Sequence, residues 1–504
     1  MSAESFAGSL AIIGAVIIVS ALLSGLIDRT GLPQVGVFLA IGAVLGPFGL
    51  GLISISFDSV ALRTVAILSL ALVLFTDAVS MNIAEVRRRS TLALRLLGPG
   101  TLLTAVLIGL AGWWLLKLSI PAAATLGAAL ASTDPVLLRG LLQRRDIPEG
   151  ARQPLRLESG LNDVVLLPIV LVALAFLTRD SAPDAAAYRA LGLNLFILGP
   201  GAGILIGLAG IGALDLTRRR IGVRRDYESL YSLGIAFAAF AAAEALHGSG
   251  FLAAFAAGMT VAALDVELCD CFVEYGAVTA EMFLMLTFVL LGSYLIWSGF
   301  TVVSGPVLIF VALAILVRTP VYLLSMLGSD VDMRGRLLIA WFGPRGLSSL
   351  LLVLLPVFAG VPDGRRLFSV CSLVVLVSVI LHGGSPMLLA RLAQRRARKA
   401  EKTGTPVLLP ESKISHGRDA DATTEPPPVD EGFPVASDRI TLEELQQLWD
   451  SKLEVVVLDV RSERSLEGSD AQAGGAIRMP PDHVADRARE LGLNPEAWIV
   501  AYCA

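Results

Sequence analysis

Charged residues are scarce in this chain. Asp, Glu, Lys and Arg make up only 17% of the 504 residues, whereas about 25% is usual for soluble domains. Apolar residues make up 55%, and the mean hydropathy is +0.72. This balance excludes a purely soluble globular protein, so we expect an integral membrane protein.

Cysteine and histidine are also rare, with four residues of each. Four cysteines do not form a disulfide framework in a chain of this length. Cys269 and Cys271 are a close pair, but a zinc site would need a second pair. The net charge of −4 averages over two unlike regions and indicates no partner. We expect no cofactor and no nucleic-acid partner.

Apolar segments follow one another from about residue 10 to about residue 393. A membrane-spanning helix needs about 20 mostly apolar residues, and about thirteen segments meet this requirement. They lie near residues 9–28, 31–53, 60–82, 94–118, 121–144, 153–178, 189–216, 226–247, 250–266, 277–298, 300–327, 335–358 and 366–390. We expect an all-α transmembrane domain over residues 1–399, a disordered linker over 400–434 and a small α/β segment over 435–504.

The distribution of arginine predicts how the chain crosses the membrane. If the basic run at residues 391–399 is cytoplasmic, an odd number of spans places the N-terminus outside. The arginine clusters near residues 87–89, 139–152 and 218–225 then all fall inside, as the positive-inside rule requires. We therefore expect a multi-pass protein of the plasma (inner) membrane with a cytoplasmic C-terminal tail.

The fifth predicted span contains ALASTDPVLLRG, in which Thr133 and Asp134 precede Pro135. Proline removes a backbone donor and disfavours helix at the preceding residue, so we expect the helix to be interrupted there. Many transporters use such broken helices to expose carbonyl oxygens and helix ends to an ion. A plain proline kink with a hydrogen-bonded Asp134 is the alternative.

The sixth predicted span begins with ESGLNDVVLL, which places polar side chains where hydrocarbon is expected. Ser159 and Asp163 are four residues apart and share one helix face, and Glu158 and Asn162 share a second face. Because charge within a bilayer is costly, such residues are candidates for function. We expect the first face to offer oxygens to a cation and the second to meet a positive partner or brace the broken helix. A purely structural polar cluster is the alternative.

The twelfth predicted span, LLIAWFGPRGLSSLLLVLL, is interrupted at Gly343, Pro344 and Gly346, around Arg345. It lies seven spans after the first interrupted span, which is the offset of counterparts in an inverted repeat. The eleventh span adds Arg318. A buried arginine needs a carboxylate, and both arginines are candidates for the partner of Glu158.

Asp77 ends the long apolar run of the third predicted span. It either contributes to the ion path or marks the membrane interface, and the residues alone favour neither interpretation.

Together these motifs resemble those of the monovalent cation:proton antiporter family, which includes the sodium/proton exchangers. ASTDPV, ESGLNDVV, HGSGFLAAFAAGM, FVLLG and WFGPRGLSSL occur in that family's order and spacing, over about residues 10–395. The resemblance implies two inverted repeats with crossing broken helices, a homodimer, and exchange of Na⁺ or Li⁺ for H⁺ by alternating access. A K⁺/H⁺ antiporter of the same architecture and a cation channel or uniporter are the alternatives.

The resemblance also implies roles for individual residues. Asp163 would be the carboxylate that binds cation and proton alternately. Thr133, Asp134 and Ser159 would complete or shape the Na⁺ site, and Asn162 would brace the crossing.

Glu158 would form its ion pair most readily with Arg318. Family members with adjacent aspartates resemble electrogenic exchangers, whereas Asn162 followed by Asp163 resembles the electroneutral ones. A single carboxylate that holds one proton or one cation exchanges them one for one. The family's third-span pattern, similar to LFEGG, is replaced here by a sequence in which the acid, Asp77, is displaced by one residue. This departure leaves the choice between Na⁺ and K⁺ open.

The tail resembles the start of a rhodanese-like domain. VVVLDVRSE, GGAIRMP and AYC match that family's order, and Cys503 lies where the family has its sulfur-carrying cysteine. The sequence ends at Ala504, before the loop of backbone amides that would activate this cysteine. We therefore expect a truncated segment without sulfurtransferase activity, and a transporter rather than an enzyme. Sulfurtransferase activity of the tail is the minor alternative.

Overall fold

The computed structural model describes most of the transmembrane part and short pieces of the C-terminal part. It describes residues 14, 18, 22, 34–81, 83–135, 137–138, 149–178, 185–221, 225–264, 270–329, 331–382, 445–446, 448–449, 455–460, 475–479, 491 and 498–502. Most of the first predicted span, the whole predicted linker and Cys503 lie outside the described residues. The chain divides into two compact units, Met1–Leu408 and Leu409–Ala504. The expected boundaries of the three sequence regions stay a prediction.

The first unit is built of helices. The described α-helices are Gln34–Leu45, Val60–Val79, Ile83–Arg88, Ser90–Arg95, Leu103–Leu116, Ile120–Ala131, Glu149–Leu177, Ala185–Leu193, Gly199–Arg220, Arg225–Ala245, Gly250–Ala263, Asp270–Ser293, Gly305–Leu316, Arg318–Ser325, Met333–Trp341, Leu347–Phe358 and Gly364–His382. Two π-helical segments, Leu96–Leu102 and Asn194–Leu198, and a 3-10 helix, Leu295–Val302, adjoin them. Among the described residues, each predicted span from the second onward contains a helix or consecutive helices.

Several of these helices are long and apolar enough to cross a membrane. Within the described residues there are six, or seven if the bent pair Val278–Ser293 and Leu295–Val302 forms one span. Shorter apolar helices include the pieces of interrupted spans. The first unit is thus an all-α integral membrane domain, as expected, and the count of thirteen spans stays a prediction.

The membrane helices pack into two bundles. The site bundle contains Ser90–Leu116, Ile120–Ala131, Glu149–Leu177, Gly305–Ser325, Met333–Trp341 and Leu347–Phe358. The second bundle contains Gln34–Leu45, Val60–Val79, Gly199–Arg220, Arg225–Ala245, Gly250–Ala263 and Asp270–Ser293. Few contacts join these two sets of helices. The site bundle thus combines predicted spans four to six with predicted spans eleven and twelve. Spans four and eleven, and spans five and twelve, are each seven apart, which agrees with a seven-span offset between repeats.

Close backbone contacts hold the second bundle together. A Cβ atom on Gly42 would lie 2.8 Å from the carbonyl carbon of Gly292, and a Cβ atom on Gly292 would lie 2.8 Å from the Cα of Leu39. Helix Gln34–Leu45 therefore packs directly on the backbone of Asp270–Ser293, at a distance that leaves no room for side chains.

Two spans of the site bundle are interrupted. The first half-helix, Ile120–Ala131, ends before a non-helical stretch at residues 132–134, the first break, and helical structure resumes at Pro135. Helix Met333–Trp341 ends before the second break, residues 342–346, which leads into the second half-helix, Leu347–Phe358. Both predicted interruptions are confirmed, and in both a proline denies the backbone a helical donor.

The described part of the C-terminal unit includes a parallel three-stranded sheet. Its central strand, Val455–Asp459, pairs with Ile477–Arg478 on one side and with Trp498–Tyr502 on the other. The central strand lies within the motif VVVLDVRSE, and the last strand ends in the motif AYC. The resemblance to a rhodanese-like domain stays a prediction.

Candidate ion-binding site

The two breaks cross each other inside the site bundle. The backbone N–H of Asp134, in the first break, donates to the carbonyl oxygen of Pro344, in the second, over 3.0 Å. Asp134 and Arg345 are each 1% exposed, and Thr133 is fully buried. The residues that the sequence analysis singled out at the two interruptions are therefore neighbours in space.

Asp134 caps the second half-helix. Its Oδ2 accepts a hydrogen bond of 2.7 Å from the backbone N–H of Leu347, the first residue of that half-helix. A carboxylate at this end is favourable, because the helix dipole leaves partial positive charge on the free N–H groups. A Cβ atom on Gly346 would overlap the Asp134 carboxylate, so the approach requires glycine.

Arg345 caps the first half-helix in return. Its Nη1 donates to the carbonyl oxygen of Ala131 at 2.7 Å and to that of Ser132 at 3.2 Å. A positive charge is favourable there, because the last carbonyl groups of a helix carry partial negative charge. The backbone N–H of Arg345 donates to the hydroxyl of Ser378 at 2.8 Å. The first break thus supplies a carboxylate to the N-terminus of the second half-helix, and the second break supplies a guanidinium group to the C-terminus of the first half-helix.

Asp163 lies beside the first break on the site helix, Glu149–Leu177. Its side chain is almost fully buried, and its Oδ1 accepts a hydrogen bond of 3.0 Å from the Ser132 hydroxyl. No arginine, lysine or histidine pairs with Asp163 among the described residues. An anion within a membrane protein needs compensation, which a proton or a cation can supply.

Asn162 ties the site helix to the first break. Its Nδ2 donates to the carbonyl oxygen of Thr133 at 3.0 Å and to the Thr133 hydroxyl at 2.6 Å. The Thr133 hydroxyl in turn donates to Oε1 of Glu158 at 2.9 Å. The amide therefore satisfies a carbonyl group that the helix interruption leaves free.

Glu158 is the centre of a buried network. Arg318 donates to both of its oxygens, through Nη1 to Oε1 at 3.1 Å and through Nη2 to Oε2 at 3.0 Å. Tyr322 donates its hydroxyl to Oε1 at 2.9 Å and lies 2.8 Å from the Thr101 hydroxyl. Since Arg345 bonds to the first break instead, the structure brings Glu158 together with Arg318.

The remaining candidates are less central. Ser159 is buried on the Asp163 face, and its hydroxyl donates to the carbonyl oxygen of Arg156 on its own helix, at 3.3 Å. Asp77 is half-buried in the last turn of Val60–Val79, in the second bundle. Cys503 lies outside the described residues. Nowhere in the described part of the chain do three His, Cys, Asp or Glu residues group as metal ligands.

Two residues of the site were not predicted from the sequence. Ser132 donates to Asp163, and Tyr322 donates to Glu158. Each carried a signal in the sequence. Ser132 directly precedes the interrupted Thr133, and Tyr322 follows Arg318 by four residues, which places both on one helix face.

Crossing broken helices in an all-helical membrane bundle, with a buried carboxylate at the crossing, are the features of a secondary transporter. The chain belongs to the family described as "Sodium/hydrogen exchanger, transmembrane", whose family model matches residues 16–391. This family transports monovalent cations and protons, so the protein is a transporter and not an enzyme.

Curated relatives and solved structures agree with this assignment. The chain is 30% identical over 409 residues to the K⁺/H⁺ antiporter NhaP2 of Shewanella sp. (strain MR-4), covering 78% of this chain and 68% of the relative. It is also 30% identical over 390 residues to the K⁺/H⁺ antiporter NhaP of Alkalimonas amylolytica, covering 75% and 66%. The sodium proton antiporter MjNhaP1 from Methanocaldococcus jannaschii has a similar fold, with a TM-score of 0.61 at 21% identity, covering 76% of this chain and all of that chain.

Proposed function

We propose that this protein exchanges one monovalent cation for one proton at Asp163, by alternating access, without moving net charge. The observation that carries the proposal is the difference between Asp163 and the two other buried carboxylates at the crossing. Asp134 is committed to the end of the second half-helix, and Glu158 to Arg318. Asp163 accepts the hydroxyl of Ser132 and has no cationic partner among the described residues.

A single uncommitted carboxylate accounts for competition between the two substrates. Either a proton or a dehydrated cation neutralises Asp163, and each carries one positive charge. The hydroxyl of Ser132 and the neighbouring Ser159 supply oxygens of the kind that alkali cations accept. Asn162 and Thr133 then maintain the shape of the first break around the site.

The two-bundle architecture supports alternating access. Few contacts join the site bundle to the second bundle, and those contacts involve the site helix and the second half-helix. Movement of the site bundle relative to the second bundle would expose Asp163 first to one side of the membrane and then to the other.

We propose K⁺ as the preferred cation. Curated relatives that share 30% identity with this chain are named K⁺/H⁺ antiporters. The resemblance of the sequence motifs favours Na⁺ or Li⁺. The name of the family and the similar fold of a sodium proton antiporter keep Na⁺ as the second candidate. The displaced acid Asp77 is compatible with a cation preference that differs from Na⁺.

The test uses purified protein in proteoliposomes that contain a pH-sensitive dye. Addition of K⁺, Na⁺ or Li⁺ outside should drive protons out of the vesicles, and the initial rates should rank the cations. The initial rate of proton movement should stay the same when valinomycin clamps the membrane potential in the K⁺ experiments. A voltage-sensitive dye should report no change in potential, since one-for-one exchange moves no charge. Cation uptake without proton movement would indicate a channel or uniporter and contradict the proposal.

The matched variants are Asp163→Asn and Asp215→Asn. Asp163→Asn should abolish exchange while the protein still inserts, because the amide cannot alternate between proton and cation. Asp215 forms an exposed pair with Arg219, so its variant should exchange like the wild type. Exchange that survives in Asp163→Asn would refute the assignment.

We also propose that the protein is a homodimer in the plasma membrane, with the C-terminal unit in the cytoplasm. The arginine clusters near residues 87–89 and 218–220 support this orientation through the positive-inside rule. Protease added to intact spheroplasts should leave the C-terminal unit uncut, and cross-linking in membranes should give a dimer. Cleavage from the outside would reverse the orientation.

A further inference from the structure

The last membrane helix that the structure describes, Gly364–His382, is bonded to the site bundle. Three hydrogen bonds, at its end, middle and beginning, hold it there. They join Ser378 to the backbone N–H of Arg345 (2.8 Å), Cys371 to the carbonyl oxygen of Ser349 (3.7 Å) and Arg366 to the carbonyl oxygen of Leu116 (2.8 Å). Because these partners lie on two different spans of the site bundle, we expect the helix to move with that bundle.

The first half of this helix also contacts the second bundle. The ring of Phe368 meets the ring of Phe57 edge to face, with 5.1 Å between the centroids, and Phe57 lies just before helix Val60–Val79. The guanidinium group of Arg365 pairs with the carboxylate of Asp58 at 3.1 Å and lies 5.6 Å from the centroid of the Phe57 ring. An aromatic pair, an ion pair and a cation–π contact therefore join the last helix to the second bundle.

A second set of contacts lies beside the first. The hydroxyl oxygens of Ser369 and Ser298 are 2.9 Å apart. A Cβ atom on Gly299 would lie 2.8 Å from the backbone nitrogen of Leu373, so the two backbones touch, as small residues allow. Ser298 and Gly299 belong to the 3-10 helix that follows Asp270–Ser293. Two separate segments of the second bundle thus meet the same helix.

These contacts form an outer seam, in which residues 57–63 and 298–299 face residues 358–373. Arg63 extends the seam, because its guanidinium carbon lies 5.9 Å from the ring centroid of Phe358, the last residue of the second half-helix. That half-helix begins at the crossing of the two breaks, so the seam lies about 16 Å from the crossing along the helix axis. In the orientation proposed above, the loops that carry the seam are outside.

The seam closes the space between the two bundles at this end. Backbones in direct contact and interlocking rings leave no room there for a hydrated cation. The contacts are individually weak, however. The side chains of Arg365 and Asp58 are 65% and 82% exposed, and exposed ion pairs contribute little stability. The seam can therefore open without breaking the buried pair of Glu158 and Arg318, which lies within the site bundle.

We propose that the outer seam is the outer gate of the exchanger, closed in this structure and opened once in every transport cycle, when helix Gly364–His382 moves with the site bundle away from the second bundle. The inference rests on the proposed function, because alternating access requires a boundary that opens on each side in turn. A covalent bond across the seam should then stop exchange, whereas a covalent bond inside one bundle should not.

The experiment introduces a disulfide across the seam with the double variant Ser298→Cys, Ser369→Cys. The two hydroxyl oxygens are already 2.9 Å apart, so two sulfur atoms in their places can bond with little movement. The full chain in proteoliposomes is oxidised with copper phenanthroline, and K⁺-dependent proton movement is measured before and after reduction. Oxidation should lower the initial rate at least about tenfold, and dithiothreitol should restore it. Tryptic fragments that stay joined on a non-reducing gel report the fraction cross-linked.

The matched control places the same bond inside the second bundle. Ser69 and Thr287 lie on two helices of that bundle, and their hydroxyl oxygens are also 2.9 Å apart. The double variant Ser69→Cys, Thr287→Cys should exchange at the same rate before and after oxidation. The four single variants, which keep the native cysteines, should also be insensitive to the oxidant.

A second pair carries the test if the first does not reach the membrane. Phe57→Cys with Phe368→Cys, joined by a short bifunctional thiol reagent, spans the same seam and should likewise stop exchange.

Exchange that continues in fully cross-linked protein would overturn the inference and leave the proposed function intact. An equal loss of exchange in the control pair would also overturn it, since the effect would then not depend on the seam. Absence of cation-dependent proton movement in the wild type would remove the proposed function and this inference with it.

Discussion

Replacement of Glu158 by glutamine tests the buried network most directly. The carboxylate is fully buried and accepts four hydrogen bonds, two of them from Arg318. Glutamine has nearly the same shape, so Glu158→Gln leaves no cavity. Its amide oxygen can keep the three contacts of Oε1. Its amide nitrogen then faces Nη2 of Arg318, donor against donor, and the negative charge is lost.

The size of the stability loss in Glu158→Gln depends on the contacts that Arg318 keeps. Breaking a buried ion pair by removal of one partner costs about 3–5 kcal/mol, because a buried charge is left without compensation. Arg318 keeps its bond to the carbonyl oxygen of Ile339 at 3.3 Å and its position 3.7 Å from the centroid of the Tyr322 ring. We therefore expect the lower end of the range, about 3 kcal/mol of lost stability.

The assay is thermal unfolding of the detergent-purified protein, with Glu244→Gln as the matched control. Glu244 accepts one hydrogen bond, from the backbone N–H of Gly250 at 3.0 Å, which an amide oxygen can also accept. The control should remain within about 0.5 kcal/mol of the wild type, whereas Glu158→Gln should melt at a clearly lower temperature. The double variant Glu158→Gln with Arg318→Met removes the uncompensated charge, so it should melt above Glu158→Gln alone.

Two results would refute this reasoning. One is equal melting temperatures for Glu158→Gln and the control, since the buried charge would then cost nothing. The other is a double variant that is less stable than the single one, since Arg318 would then stabilise the fold without its carboxylate.

Three further predictions follow from the packing. Gly346→Ala should lower the exchange rate about a hundredfold, because its Cβ would displace the carboxylate that caps the second half-helix, and misplacing a functional group by about 1 Å can lower a rate by that factor. Gly305→Ala is the control: nothing lies within 4 Å of its Cβ, and it should exchange normally. Tyr322→Phe should cost about 1–2 kcal/mol in thermal unfolding, because the ring stays and the hydroxyl between two buried partners is lost; an unchanged melting temperature would contradict this. Gly42→Val should lower the yield of folded protein by separating two helix backbones, whereas Gly212→Val, which meets open space, should not.

Helical periodicity predicted much of the site. The spacing of polar residues in ESGLNDVVLL separates Glu158 and Asn162 from Asp163, and in the structure the first two bond to the network around Thr133 while Asp163 meets Ser132. The interruptions were predictable because proline acts on its own helix, within a few residues. These features depend on local geometry, which the sequence specifies directly.

Other features depend on how distant spans pack, and the sequence could not decide them. Arg318 and Arg345 both lie in apolar spans close to a proline, so spacing alone could not assign either to Glu158. The assignment follows from the crossing, which directs Arg345 towards the first half-helix and leaves Arg318 facing the site helix. The π-helical segment Leu96–Leu102, which brings Thr101 to Tyr322, also had no distinct signal beyond a proline.

The balance of charge at the crossing supports the proposal that one carboxylate is available for transport. Asp134, Glu158 and Asp163 are the carboxylates described there, and Arg318 and Arg345 are the guanidinium groups. The crossing therefore carries one negative charge in excess when Asp163 is ionised. A low-dielectric surrounding makes that charge costly unless a proton or a monovalent cation balances it. The other charged groups described at the crossing are committed to the half-helix ends and to the ion pair, and both occupied states of Asp163 have the same net charge. The one-for-one exchange proposed above would therefore move no net charge.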